Sequence, residues 1–191
     1  MVSCSKESFV EPSSEKTVIT IGISDTKTTI SDPVEGKRSV YWTNGDKVVA
    51  NGVTSAALAD LPENAKEATF EFEGVLGAPV NFLYPASAYV NETTVNIPAS
   101  QGKVALAPMY GYAETLEGVA MHQMMSMLSI SLVKGSDADR VTNVILSSPT
   151  QALSGDFTIN YQSGALSSSA APADAVKTVS VNQALSSDPV S

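Results

Sequence analysis

Apolar and polar side chains alternate one for one through most of this chain, and that period of two constrains the fold more than any other feature. In Thr69-Phe70-Glu71-Phe72-Glu73 both phenylalanines fall on one side of an extended backbone and both glutamates on the other. Val18 to Ile23 is a run rich in β-branched residues, and Thr26 to Ser31 continues it after an Asp-containing turn. Further segments of this kind are Ser39 to Trp42, Lys47 to Ala50, Val80 to Tyr84, Thr93 to Ile97 and Met127 to Val133. Val141 to Leu146, Phe157 to Tyr161 and Val176 to Val181 complete the set. Asn44-Gly45-Asp46, Asn51-Gly52, Pro85 and Pro98 punctuate it with turns and stops. About ten short strands with turn signals roughly every 8–12 residues predict an all-β protein, an antiparallel β-sandwich. One segment, Glu114 to Met125, is a helix candidate, although its methionines fit a strand equally well. The alternation assigns Ile19 or Ile21, Trp42, Phe70, Phe72, Phe82, Leu128, Ile130, Phe157 and Ile159 to the buried face.

With 191 residues the chain is long enough to bury a sizeable core. Only 16% of residues are charged and 43% are apolar, which is not the balance of a disordered chain. No run approaches the ~18–20 uncharged apolar residues of a membrane-spanning helix. Acidic residues outnumber basic ones 20 to 11, and the resulting net charge of −9 repels phosphate backbones, which excludes nucleic acid as a partner. A single Cys and a single His can build neither an all-cysteine or paired Cys-His zinc site nor an internal disulfide.

Little in the chain points to catalysis. His122, within Met121-His122-Gln123-Met124-Met125, would need a positioned nucleophile and an orienting carboxylate to serve as a base, and no Gly-x-Ser-x-Gly elbow supplies the nucleophile. Two Ser-x-x-Lys matches, Ser3 to Lys6 and Ser13 to Lys16, lie in a polar N-terminal stretch with nothing to organise the lysine. Asp137-Ala138-Asp139 lacks the Gly and the distal Glu of a calcium loop. No catalytic residue, metal or cofactor is expected, and the chain reads as a non-enzyme. Asn91-Glu92-Thr93 is a glycosylation sequon only in a host that modifies such sites. Tyr41, Trp42, Tyr84, Tyr89, Tyr110 and Tyr112 could stack sugars, although aromatics at strand ends more often belong to the core.

Cys4 follows Met1-Val2-Ser3 and precedes a polar stretch, and this arrangement resembles the end of a bacterial lipoprotein signal. The resemblance implies acylation of Cys4 and a flexible tether over residues 1–16, ahead of a domain spanning 17–185. The physics of such an anchor is simple, since each buried methylene of an acyl chain contributes about 0.8 kcal/mol.

Tyr41-Trp42-Thr43-Asn44-Gly45-Asp46-Lys47-Val48 resembles the Trp, Gly-Asp and hydrophobic pattern near the start of the fimbrillin-like proteins of Bacteroidetes. Ala68-Thr69-Phe70, Tyr84-Pro85-Ala86-Ser87, Ile97 to Gln101, Met127 to Leu132, Val144 to Ser147 and Leu153 to Phe157 continue that resemblance in the same order. It covers roughly residues 17–181. It implies a transthyretin-like or immunoglobulin-like sandwich, the N-terminal domain of a two-domain protein, in a cell-surface lipoprotein of the outer membrane that builds, tips or anchors fimbriae. It also implies partners, namely other fimbrial subunits that donate a strand once a protease has cut after a basic residue. Lys37-Arg38, in the Pro- and Gly-containing loop from Asp32, stands at the matching place, which makes Arg38 the expected processing site. The alternative is a surface lipoprotein module that binds a glycan or another host ligand and never polymerises.

Overall fold

The computed structural model describes residues 15–24, 40–101, 108–126, 128, 130, 132, 140–172 and 174–184. Among these residues the first strands are β1 (Lys16–Ile23), β2 (Val49–Ala50), β3 (Val53–Thr54), β4 (Glu67–Glu73), β5 (Val80–Tyr84), β6 (Tyr89–Asn91) and β7 (Thr94–Ile97). They are followed by β8 (Ser100–Gln101), β9 (Met109–Ala113), β10 (Val119–Gln123), β11 (Arg140–Leu146), β12 (Gly155–Asn160), β13 (Ala165–Ser167) and β14 (Lys177–Ala184). A single 3₁₀ turn, Ala86–Ala88, is the only helical element among the described residues.

Seven strands form one sheet in the order β3-β2-β5-β9-β10-β1-β4. The sheet curls until its ends nearly meet, where the Ala56 amide just beyond β3 donates to the Glu71 carbonyl of β4 at 2.8 Å. Alternation dictates what fills this near-barrel. β4 turns Ala68, Phe70 and Phe72 inward and its glutamates outward. Ile19 and Ile21 from β1, Phe82 from β5, Met109 from β9 and Met121 from β10 meet them there, around Trp42. Gly111 is the space-maker in β9, since a Cβ there would sit 3.0 Å from both the Ala120 carbonyl and the Met121 sulfur.

A four-stranded sheet, β13-β12-β7-β6, covers the outer face of the curled sheet near β2, β5 and β9. Val95, Ile97, Phe157, Ile159 and Tyr161 pack there against Val49 and Leu83, forming a second apolar cluster. β5 is therefore buried on both faces, with Phe82 inside and Leu83 outside, and its alternation disappears as burial on both sides requires. A small third sheet has the order β11-β14-β8. The protein is all-β and sandwich-like, as the alternation predicts. Two pairings run parallel, β1 with β10 and β14 with β8, a direction that side-chain alternation does not encode.

Several expectations need correction. Within Glu114 to Met125 the chain forms β10, paired with β9, rather than a helix; Met121 reaches the interior as a strand residue. Of the expected strand Ser39 to Trp42, the described residues 40–42 contribute one isolated bridge, Trp42 to Ala65. Leu128 and Ile130 are not core, being 69% and 38% exposed, because the near-barrel interior is already filled by the aromatics and methionines above. The other expected core residues are buried, and Ile19 and Ile21 both qualify. β1 begins at Lys16, whose backbone pairs with Glu73, and residues 1–14 of the expected tether lie outside the described residues. Thr26 to Ser31 and most of Met127 to Val133 lie outside the described residues.

Candidate functional site

β1 is paired along both of its edges. From Lys16 to Gly22 it pairs antiparallel with β4, in a register that sets Ile19 against Phe70 and Ile21 against Ala68. From Ile21 to Ile23 it also pairs parallel with β10, from Val119 to Met121. Ile19, Ile21 and Ile23 point into the core, whereas Val18 on the opposite face is 58% exposed. β1 is thus a slat between two different walls. Its removal would uncover main-chain N–H and C=O groups on both walls above an apolar floor.

β1 is tied at its start by side chains and at its other end by backbone hydrogen bonds. At the start, the Thr17 hydroxyl donates to the Gly74 carbonyl at 2.7 Å and accepts from the Leu76 amide at 3.0 Å. Lys16 Nζ lies 3.2 Å from Glu71 and 3.6 Å from Glu73. Its pKa is raised, first by the hydrogen bond to Glu71, then by the charges of Glu71 and Glu73. All three side chains stand in water, where such pairs contribute little. At the other end, the Ser24 amide donates to the Met121 carbonyl at 2.9 Å, and the Ile23 amide to Lys66 at 2.8 Å.

The Trp-Thr-Asn-Gly-Asp stretch, which carries part of the family resemblance, forms the adjoining support. Trp42 is buried edge-to-face against Phe70 and Tyr84, with centroids 5.0 and 5.3 Å away. Its indole N–H donates to the Ile21 carbonyl of β1 at 3.1 Å. Asp46 locks the turn that follows: Oδ2 accepts from the Thr43 amide at 2.8 Å, and Oδ1 accepts from the Tyr84 hydroxyl at 2.9 Å. Burial, reinforced by the Asp46 carboxylate, pushes the Tyr84 phenol well above its ordinary pKa.

Cys4, Lys37 and Arg38 lie outside the described residues. His122, on β10, tilts against the Tyr110 ring with centroids 5.7 Å apart, and among the described residues its imidazole makes no hydrogen bond. No group of three or more His, Cys, Asp or Glu side chains converges as a metal site among the described residues. The six aromatics do not gather on one face. Trp42 and Tyr84 are interior, while Tyr110 and Tyr112 are half-buried against the second cluster. Tyr110 lies so close over Gly164 that a Cβ there would overlap its ring. Thr17 and the Trp42–Ile21 bond escape sequence reasoning altogether, because their partners stand 57 and 21 residues away with no local signal.

Comparison of the chain with family models, with curated proteins and with solved structures finds no match. Among the described residues no helix is long and apolar enough to cross a membrane.

Proposed function

We propose that this chain is a structural or accessory subunit of bacterial surface fimbriae, held at the outer membrane through acylated Cys4 and joined to its neighbours by strand exchange after cleavage at Arg38. The observation that supports this reading is the position of β1, a single strand that fills a two-walled slot over an apolar floor. The chain that follows it carries the dibasic loop.

Energetics favour exchange over simple release. Burying Ile19, Ile21 and Ile23 contributes about 1.5–3 kcal/mol each, roughly 5–9 kcal/mol together. That is comparable with the roughly 5–15 kcal/mol that holds a whole domain folded, so an empty slot is not tolerable. An incoming strand with the same inward pattern restores both the floor contacts and the main-chain bonds. Before cleavage, the tethered strand has a high effective concentration and excludes competitors. After cleavage it becomes one non-covalent ligand among others.

Treatment of the purified chain with an arginine-specific protease tests the reading. Oligomers whose growth follows the cut are expected in sedimentation velocity; a cleaved protein that stays monomeric at high concentration would overturn it. The anchor has a separate test. Metabolic labelling with a radioactive fatty acid in a lipoprotein-processing bacterium is expected to mark wild type and not Cys4→Ala, and equal labelling would remove Cys4 from the account.

A further inference from the structure

β1 offers its slot a fixed order of side chains. Thr17, Ile19, Ile21 and Ile23 share one face; the Thr17 hydroxyl bonds the Gly74 carbonyl and the Leu76 amide, and the three isoleucines are buried. Along the sequence this reads as a hydroxyl followed, at the second, fourth and sixth places after it, by an apolar residue of valine size or larger. The whole chain holds one other run of that form, Ser126-Met127-Leu128-Ser129-Ile130-Ser131-Leu132. The likeness extends to the alternate places, where Met127 answers Val18, Ser129 answers Thr20 and Ser131 answers Gly22. In its own subunit this run leaves Leu128 and Ile130 exposed.

We infer that the strand entering the slot vacated by β1 is the run 126–132 of a second copy of this chain; the inference rests on the strand-exchange reading and names its donor. In the register of β1, Leu128, Ile130 and Leu132 take the places of Ile19, Ile21 and Ile23, with aliphatic side chains of the same size, so core volume is conserved. The Ser126 hydroxyl falls where Thr17 bonds Gly74 and Leu76, and the Ser129 hydroxyl where Thr20 meets Thr69 at 3.0 Å. Ser131 needs room for a Cβ at Gly22, and the nearest atoms there, on Glu67 and Val119, stand at 3.7–3.8 Å, an ordinary contact. The run contains no Pro, so each of its residues brings a main-chain N–H, and the Ile130 carbonyl replaces that of Ile21 beneath the Trp42 indole. It carries no charge to set against the outward glutamates of β4.

Direction requires that the donor come from a second copy. β1 runs parallel to β10, and parallel neighbours need a crossover of about a dozen residues or more. Only Met124 and Met125 separate the end of β10 from Ser126, so a subunit's own run can return beside β10 only in the antiparallel sense, opposite to β1. A neighbour's run has no such restriction. It also needs no threading, because the slot is open along its outer side, where Val18 of β1 is exposed. Slot and donor are different surfaces of one chain, so the contact is head-to-tail and extends from copy to copy.

Sedimentation velocity on the wild type and on a Leu128→Ser/Ile130→Ser variant, both cut after Arg38 and checked by mass spectrometry, tests the donor. The wild type is expected to form oligomers, and the variant to stay monomeric or to assemble at least about tenfold more slowly, having lost two apolar anchors. Its own slot is intact, so a small amount of the cut variant added to cut wild type is expected to shorten the oligomers. Met127→Ser, at the outward place of Val18, is expected to assemble at the wild-type rate. Leu128→Ser alone reads the same slowing should the double variant not fold. Wild-type assembly matched by a folded Leu128 variant, or an equal loss in Met127→Ser, would overturn the donor and leave strand exchange standing. Cut wild type that never forms oligomers would overturn strand exchange itself, and the donor with it.

Discussion

A chain carrying Lys37→Ala together with Arg38→Ala is expected to remain a folded monomer under conditions in which the wild type is cut and assembles. The substitutions lie outside the described residues, and what they are expected to change is whether the chain can be cut and β1 can leave. While the chain is continuous, any strand arriving from a neighbour competes with a tethered copy at an effective concentration of order millimolar. Cutting removes that advantage without removing any contact. Sedimentation velocity before and after protease treatment reads the outcome, with mass spectrometry to locate the cut. Assembly of the double variant at the wild-type rate, or limited proteolysis that never cuts between Ser31 and Val40, would end the strand-exchange account and leave a non-polymerising surface module in its place.

The second large effect concerns the two apolar clusters. Phe72→Ala empties a site inside the curled sheet, and Phe157→Ala empties one between that sheet and the second. Each is expected to cost about 3–5 kcal/mol, the usual penalty for removing a buried phenylalanine and leaving a cavity. Leu128→Ala is the contrasting case. At 69% exposure Leu128 has little to lose, and its substitution should change stability by no more than about 0.5 kcal/mol. Urea denaturation midpoints check all three. A large loss at Leu128 with little at Phe72 would mean that the inward register is misassigned, because a slip of one residue exchanges the two faces.

Leu128 also marks the limit of what a pattern can reveal. Alternation identifies a segment with two different faces; it does not say whether a neighbour exists to cover the apolar one. For β4 such neighbours exist, and Phe70 and Phe72 were legible directly. β5 shows the reverse failure, since covering from both sides buries Leu83 beside Phe82 and erases the period. The methionines of Glu114 to Met125 satisfy helical and extended spacing alike, and only the pairing of β10 with β9 decides between them. The slot around β1 was half legible. Its β-branched strand and dibasic loop can be read from the chain, but not the walls: β4 lies about fifty residues on and β10 about a hundred, the latter in the parallel sense that only the folded sheet fixes.

The bond from the indole of Trp42 to the Ile21 carbonyl has an optical consequence. Trp42 is the only tryptophan in the chain, so the fluorescence excited near 295 nm, a wavelength at about the red edge where tyrosine scarcely absorbs, comes from one known place. That place is dry, flanked by Phe70 and Tyr84, and hydrogen-bonded to β1. If β1 leaves, as the proposed exchange requires, water is expected to reach the indole and move its emission to longer wavelength, and a replacement strand offering a carbonyl at the same position is expected to reverse the shift. Occupancy of the slot would then be readable in solution without a label.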